Sequence, residues 1–225
     1  MAYDWDFDVL WQYRKAFLTG MTLTIFLSLT AIVLGTVIGI FWGLLLSTRH
    51  RALLETRAFA FVLNDIVRAL PLLVFLLLLN YYTPTFFGIH TTFGISLLAL
   101  SVNLGAFIAD VFRGAVAGVQ RPLRDAGFAV GMTETQVMRR IVVPEAIRSI
   151  VPTLGLLYID IFKMSSLASV IAFPEMTHVA GRVSSAEFRP LEVFALIAVA
   201  YIAIVVPLSH VQRRLEKSRW FIRRS

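Results

Sequence analysis

The feature that most constrains this chain is the length of its uncharged apolar stretches. Residues 20–48 carry no charged side chain, and 58% of all residues are hydrophobic. At about 1.5 Å per residue, a helix of that length exceeds the roughly 30 Å hydrocarbon thickness of a bilayer, so it can cross with tilt. Comparable stretches occupy residues 58–82, 93–114, 147–172 and 190–211. We therefore predict an all-α membrane protein with five transmembrane helices in a single transmembrane domain over residues 1–225.

Positive charges predict the orientation of these helices. One side of the predicted membrane holds Arg49, Arg51, Arg57, Arg113, Arg121, Arg124, Arg139, Arg140, Arg148, Arg213, Arg214, Lys217, Arg219, Arg223 and Arg224. The other side holds only Arg14, Lys15, Arg182 and Arg189. By the positive-inside rule, the loop 115–146 and the C-terminus are cytoplasmic and the N-terminus is outside. The net charge of +7 then reflects topology and argues against nucleic-acid binding.

The sequence contains no recognisable catalytic or metal site. Cysteine is absent, which excludes disulfides, thiol catalysis and cysteine-based metal sites. No glycine-rich Walker loop is present to hold ATP phosphates. The histidines are scattered, with no second ligand at metal spacing, at positions His50, His90, His178 and His210. We therefore expect neither enzymatic activity nor a metal or cofactor in this chain.

Three glycines predict a close helix contact. Gly35, Gly39 and Gly43 recur every four residues in the first apolar stretch, so they share one helix face. Small residues at this spacing let a second helix backbone approach closely. We expect this face to serve helix packing.

A polar insert between the third and fourth apolar stretches interrupts the apolar pattern. Pro122 suits the first turn of a helix, and Gly131 lies where a helix favours a left-handed stop. Thr133 and Gln136 have the spacing of a capping box that begins a second helix, which Pro144 is expected to end or redirect. We predict two short amphipathic helices presented to a soluble partner. The alternative is an interfacial helix lying on the lipid.

This insert resembles the cytoplasmic-loop signature of permease subunits in ABC importers. The family pattern is Glu-Ala-Ala, three residues, Gly, nine residues and Ile-x-Leu-Pro, and this chain has DAG, Gly131 and IVVP in the same frame. Asp replaces Glu, and Gly127 replaces the second Ala. The resemblance implies a type I importer architecture in which this loop is the coupling-helix elbow. The residues it assigns to coupling with the ATPase are Asp125, Ala126, Gly127, Gly131, Met132, Thr133, Gln136, Ile141 and Pro144.

Other segments resemble the amino acid branch of that family. VRALPLL, with Arg68 and Pro71, resembles the family's Arg-Gly-Thr-Pro-Leu, and DVFRG also matches. In DVFRG, Asp110 and Arg113 are three residues apart and can pair on a helix.

A third segment, FKMSSLASVI, resembles the Lys-Asp-Thr-Ser-Leu motif of the polar amino acid uptake permeases. Lys163, Ser166 and Leu167 agree with that motif. Met164 and Ser165 replace its Asp and Thr.

Two charged residues in the fourth apolar stretch call for an explanation. An ionised side chain in mid-membrane costs about 2.5–3.5 kcal/mol, and Asp160 and Lys163, three residues apart, can neutralise each other. One hypothesis is a water-accessible cavity for a zwitterion, with Lys163 or Arg68 near its carboxylate and Asp160 near its ammonium. The alternative is that these charges only fix helix packing. The candidate substrate-binding residues are Arg68, Asp160, Lys163, Met164, Ser165 and Ser166.

The resemblance implies the transmembrane permease subunit of an ATP-driven importer in a bacterial inner membrane. It would move amino acids or related small zwitterions into the cytoplasm by alternating access. Its implied partners are a second permease subunit, two cytosolic ATPase subunits that bind ATP and magnesium, and an extracytoplasmic substrate-binding protein. The alternatives are an ion-coupled carrier or channel that uses the Asp160–Lys163 pair, and an assembly subunit without a substrate site.

Overall fold

The computed structural model describes residues 5–47 and 54–216, which form helices and connecting turns without any strand. The α-helices are α1 (Asp8–Gln12), α2 (Arg14–Ser47), α3 (Leu54–Ala69), α4 (Leu72–Phe87), α5 (Thr92–Gly118), α6 (Arg121–Ala129), α7 (Glu134–Val137), α8 (Val143–Met164), α9 (Met176–Glu187) and α10 (Pro190–Glu216). A π-helical turn, Met138–Val142, precedes α8, and a 3-10 helix, Ser165–Ile171, follows it. The prediction of an all-α protein is confirmed.

Within the described residues, four helical stretches are long and apolar enough to cross a membrane, and a bent pair of helices makes a fifth if the pair counts as one span. The four are Arg14–Ser47, Thr92–Gly118, Glu134–Ile171 and Pro190–Arg214. The bent pair replaces the continuous stretch expected at 58–82, because α3 stops before Pro71 and α4 begins after it. Proline lacks the amide hydrogen that a helix needs, and it disfavours helical backbone at the preceding Leu70.

The described residues form two compact units. The first lies within residues 1–32, 71–100 and 159–210, and the second within residues 33–70, 101–158 and 211–225. One core of the first unit joins α1, α9 and α10 through Leu10, Met176, Ala180, Val183, Val193 and Ile197. Another core joins α4, α5 and the 3-10 helix through Leu76, Ile95, Ala99 and Ile171.

In the second unit, the glycine face of α2 packs against α5. A Cβ atom placed on Gly39 would lie 2.5 Å from Ile108 Cβ and 2.8 Å from the Gly105 carbonyl oxygen. A Cβ atom placed on Gly35 would likewise lie 2.8 Å from Leu104 Cδ2, and one on Gly43 would lie 2.9 Å from Phe112 Cδ1. These distances confirm that the glycine face serves helix packing, because a Cβ atom at any of the three positions would crowd α5.

Other residues of α2 present a continuous apolar surface. Val33, Val37 and Phe41 follow one another at helical spacing and are 62%, 63% and 73% exposed. A contiguous apolar strip of this kind is unfavourable in water but not in contact with lipid chains, which are themselves apolar. The strip therefore agrees with a membrane location for α2.

Candidate functional site

The polar insert folds into two short helices joined by a tight turn, and we call residues 121–137 the elbow. Gly131 has φ of +80°, the left-handed conformation that the sequence predicts. Its N–H donates to the Phe128 carbonyl at 2.9 Å, and the Met132 N–H donates to the Gly127 carbonyl at 3.1 Å. This pair of bonds is the Schellman motif, which ends α6 and satisfies its last carbonyls.

The capping box at the start of α7 is present in both halves. The Gln136 N–H donates to Thr133 Oγ1 at 3.3 Å, and the Thr133 N–H donates to Gln136 Oε1 at 2.9 Å. Pro122 lies in the first turn of α6, as predicted. Caps at both sides of one turn give the elbow a defined bend.

Gly127 is buried where α6 crosses the following helical segment. A Cβ atom there would lie 2.8 Å from Ile141 Cδ1 and 3.0 Å from Val137 Cγ2. Gly127, at the position where the family pattern has Ala, therefore allows α6 to pack closely against the helical segment that contains Val137 and Ile141. Arg124 also anchors α6, because its guanidinium donates to the Val116 carbonyl at the end of α5.

Most of the coupling candidates lie at the surface of the elbow. Asp125, Ala126, Gly131, Thr133 and Gln136 are exposed, whereas Met132, Ile141 and Pro144 are partly buried. The elbow also exposes two apolar side chains that the sequence did not assign to coupling, Phe128 and Val130, which are 49% and 73% exposed. Large apolar side chains exposed at a surface mark a site of contact with a protein partner or with the membrane interface. In the sequence, Phe128 follows Gly127 and Val130 precedes Gly131, so their place beside the turn glycines could have indicated them.

The expectation that Pro144 ends or redirects the second helix is wrong. The helical segment passes from α7 through the π-helical turn and into α8, with Pro144 in the first turn of α8. The Val143 N–H donates to the Met138 carbonyl, five residues back. This wider turn accommodates the proline, and the first residues of an α-helix do not need an amide donor.

Asp160 and Lys163 form the local ion pair that the sequence predicts. Asp160 Oδ1 and Lys163 Nζ are 2.5 Å apart, and the two side chains remain 44% and 55% exposed. The pair therefore is not enclosed by the helices of its own chain. In a membrane, charges with this exposure face water or another protein surface, because contact with lipid would cost about 2.5–3.5 kcal/mol for each charge.

The three residues after Lys163 have different surroundings. Met164 lines a small apolar cavity of about 10 Å³, room for about one water molecule. Ser165 is fully buried and donates to the Phe162 carbonyl at 2.9 Å. Ser166 is partly exposed and donates to the Lys163 carbonyl at 2.7 Å. Of the two serines, Ser166 is the one whose surface is partly exposed.

Arg68 has partners in the second unit. Its guanidinium lies 3.1 Å from Asp110 Oδ2 and over the ring of Phe107. Asp110 also accepts from Arg113 at 2.8 Å, which confirms the predicted local pair. One carboxylate thus joins two arginines from α3 and α5. The assignment of Arg68 to substrate binding stays a prediction, and its observed role is to hold α3 against α5.

A buried glutamate between the 3-10 helix and α9 was not anticipated from the sequence. Glu175 is fully buried at the N-cap of α9. Its carboxylate accepts from the backbone N–H groups of Thr177 at 2.9 Å and His178 at 2.7 Å. The Thr24 hydroxyl lies 3.4 Å away, and its oxygen accepts from the Met176 N–H at 3.1 Å. Burial raises the pKa of the Glu175 carboxyl above its ordinary value, and the backbone donors oppose that rise.

Comparison with known proteins matches nearly the whole chain to membrane permeases. The pattern of a family described as binding-protein-dependent transport system inner membrane component matches residues 35–220. The glutamine transport system permease protein GlnP of Escherichia coli (strain K12) is 29% identical, over 96% of this chain and 98% of that protein. The probable amino-acid ABC transporter permease protein YckA of Bacillus subtilis (strain 168) is 32% identical, over 88% and 86%.

Solved structures show the same architecture. A chain of an amino acid ABC transporter crystallised with histidines superposes with a TM-score of 0.85 at 29% identity, covering 96% of this chain and 99% of that one. A chain of the methionine transporter MetNI in an inward-facing conformation gives a TM-score of 0.73 at 18% identity, covering 90% and 97%. The second comparison shows the fold alone. The fold is that of type I ABC importer permeases.

Proposed function

Because the chain belongs to the family of binding-protein-dependent transport system inner membrane components, we propose that it is the permease subunit of an ATP-driven importer of amino acids or related small zwitterions. The observation that carries this proposal is the elbow. Its bend is fixed by a Schellman turn and a capping box, and it exposes Phe128 and Val130 beside polar residues. A surface of this shape and chemistry suits docking into a soluble motor.

The proposed complex contains two permease subunits, two cytosolic ATPase subunits and an extracytoplasmic substrate-binding protein. The elbow would contact an ATPase, so closure of the ATPase pair on ATP would move both elbows and switch the access of the path. ATP and magnesium would be bound by the ATPase and not by this chain. The proposed location is a bacterial inner membrane, with the N-terminus outside and the elbow and C-terminus in the cytoplasm.

A second subunit is consistent with the geometry of the ion pair. The cavity of about 10 Å³ beside Met164 is far too small for an amino acid. Asp160 and Lys163 are nevertheless about half exposed, so they are available at the surface of one chain. A substrate path that these residues line would be closed by a partner surface.

Reconstituted uptake tests the proposed function directly. The permease should be co-purified with its ATPase, placed in proteoliposomes and supplied with loaded binding protein. We expect uptake of a labelled amino acid to require both ATP and the binding protein, and omission of either should reduce uptake at least tenfold. Uptake that persists without ATP and follows an ion gradient would contradict the proposal and favour an ion-coupled carrier.

Asp160→Asn tests the proposed substrate contact. It keeps the shape of the side chain but removes the charge that would attract an ammonium group. We expect binding protein to stimulate ATP hydrolysis as before, while substrate uptake falls roughly tenfold, which corresponds to about 1.4 kcal/mol.

The variant Asp160→Asn with Lys163→Met is the control for a packing role. If Asp160 serves only to neutralise Lys163, the single variant lowers folded yield, and removal of the ammonium group restores both yield and uptake. Restoration of uptake by Lys163→Met would therefore contradict substrate contact by Asp160.

A further inference from the structure

The residues that precede α2 are held against α9 and α10, and we call residues 5–13 the N-terminal segment. Its helix α1 contributes to the core that it shares with α9 and α10. The Tyr13 hydroxyl donates to the Glu187 carboxylate at the end of α9. The Asp6 N–H donates to Oε1 of the fully buried Glu192 on α10 at 3.2 Å. These contacts fix the segment to the turn between α9 and α10.

The same segment exposes large aromatic rings. Trp5, Phe7 and Trp11 are 54%, 52% and 70% exposed. The backbone is helical from Phe7 onward, so Phe7 and Trp11, four residues apart, lie on one side of it. Exposed aromatic side chains in a cluster mark contact with another protein or with a membrane interface. Their neighbours on α2 decide between these two partners.

An apolar strip on α2 leads to these rings. Leu18, Phe26 and Leu29 are each more than half exposed, and with Thr22 they recur at steps of four, four and three residues on one helix face. The Thr22 hydroxyl donates to the Leu18 carbonyl at 2.8 Å, so this polar group needs no water. The strip lies on a helix that is apolar enough to span a membrane, and it suits contact with lipid. Arg14, four residues before Leu18, begins the same face.

Arg14 connects the strip to Trp11. Its guanidinium lies 5.1 Å from the centre of the Trp11 ring, and its Nη1 donates to the Trp11 carbonyl at 2.9 Å. The Arg14 side chain stays exposed, and this bond uses only one of its nitrogen atoms. Tryptophan favours the headgroup layer of a bilayer, and the N–H donors of arginine match phosphate oxygens. A tryptophan and an arginine at the end of a lipid-facing strip therefore indicate the membrane surface and not a protein partner.

We propose that the N-terminal segment binds the membrane surface, with Trp11 in the headgroup layer and the Arg14 guanidinium on a phospholipid phosphate. Because the segment also holds the turn between α9 and α10, this lipid contact anchors that turn beside the bilayer. The inference depends on α2 spanning a membrane and not on transport.

Fluorescence of Trp11 tests the depth of the segment. Replacement of Trp5, Trp42 and Trp220 by phenylalanine leaves Trp11 as the single tryptophan of the chain. In nanodiscs we expect lipids brominated near the headgroup to quench Trp11 emission roughly twofold, and more than lipids brominated near the chain ends. Iodide in the aqueous phase should quench this emission weakly.

Arg14→Gln and its matched control Lys15→Gln test the phosphate contact in the same background. Both residues are exposed cations at the start of α2, and Arg14 is the one that lies over the Trp11 ring. We expect Arg14→Gln to weaken quenching by the bromines near the headgroup and to strengthen quenching by iodide, and Lys15→Gln to change neither. An equal change in both variants would assign the effect to net charge and contradict the phosphate contact.

Phe7→Cys gives a second measurement that leaves the tryptophans in place. The chain has no cysteine, so a nitroxide attached there is the single label. It should collide with oxygen, which concentrates in lipid, more often than with a soluble nickel chelate.

Strong iodide quenching of Trp11, or nickel collisions that dominate at the Phe7 label, would overturn the inference. So would protection from iodide that develops only when loaded binding protein is added, because the aromatic rings would then contact a protein. ATP-dependent uptake by the unaltered permease is a separate measurement, so none of these outcomes bears on the proposed function.

Discussion

Replacing Gly39 with leucine should prevent the permease from reaching its folded state in the membrane. The glycine face brings the α2 backbone against α5, and even a Cβ atom at position 39 would lie 2.5 Å from Ile108 Cβ. Extra methylenes in a well-packed core typically cost about 1–3 kcal/mol, and leucine adds several carbons at a contact with the α5 backbone. We expect folded yield in detergent to fall at least tenfold.

A pair of alanine substitutions separates packing from helix propensity. Gly39→Ala and Gly114→Ala gain the same propensity of about 1 kcal/mol. A Cβ atom on Gly114 meets no other atom within 4 Å, so only the first variant encounters a neighbour. Gly114→Ala should raise or preserve the thermal unfolding midpoint, and Gly39→Ala should lower it. Equal midpoints, or a stable Gly39→Leu protein, would show that α2 and α5 do not pack as described.

Gly131→Val should uncouple the permease from its ATPase. A valine at φ of +80° is opposed by its branched side chain, at a cost of about 1–2 kcal/mol or more. Relief of that strain would open the Schellman turn and change the angle between α6 and α7. We expect ATPase co-purification and ATP-dependent uptake to fall at least tenfold, although the subunit still inserts in the membrane.

Gly88→Val is the matched control for backbone strain. Gly88 has φ of +65° at the end of α4, and a Cβ atom on either glycine meets no other atom within 4 Å. The two variants therefore carry similar strain, but only Gly131 belongs to the elbow. Co-purification should survive in Gly88→Val. If Gly131→Val retains the ATPase and normal uptake, or if both variants lose them equally, the elbow is not the docking element.

Sequence reasoning succeeded where an interaction is local. The left-handed Gly131, the Thr133–Gln136 capping box and the Asp110–Arg113 pair each depend on residues three to five positions apart, and all three are present. Local helical geometry alone determines which groups meet in these cases. The glycine face was predictable for the same reason, although its partner helix was not.

The interactions that sequence reasoning missed join distant parts of the chain. Glu175 meets Thr24 from 151 positions away, and the contact with Tyr201 spans 26 positions. Nothing in the local pattern around Glu175 shows that it is buried. Arg68 likewise meets Asp110, 42 positions away, because α3 packs on α5. The continuation of the helix through Pro144 could not be predicted. It depends on the π-helical turn before the proline, and no sequence pattern indicates that turn.

That π-helical turn also keeps the elbow in phase with α8. Val137, Val142, Ala146 and Ile150 are all buried, at successive steps of five, four and four residues. A step of five would rotate a side chain well past the buried face of a regular α-helix, but the wider turn absorbs the extra residue. The number of residues between Val137 and Val142 therefore determines which way the elbow faces. If the same residues formed a regular α-helix instead, the elbow would turn by about 100° relative to the buried face of α8, without a change in any of its side chains.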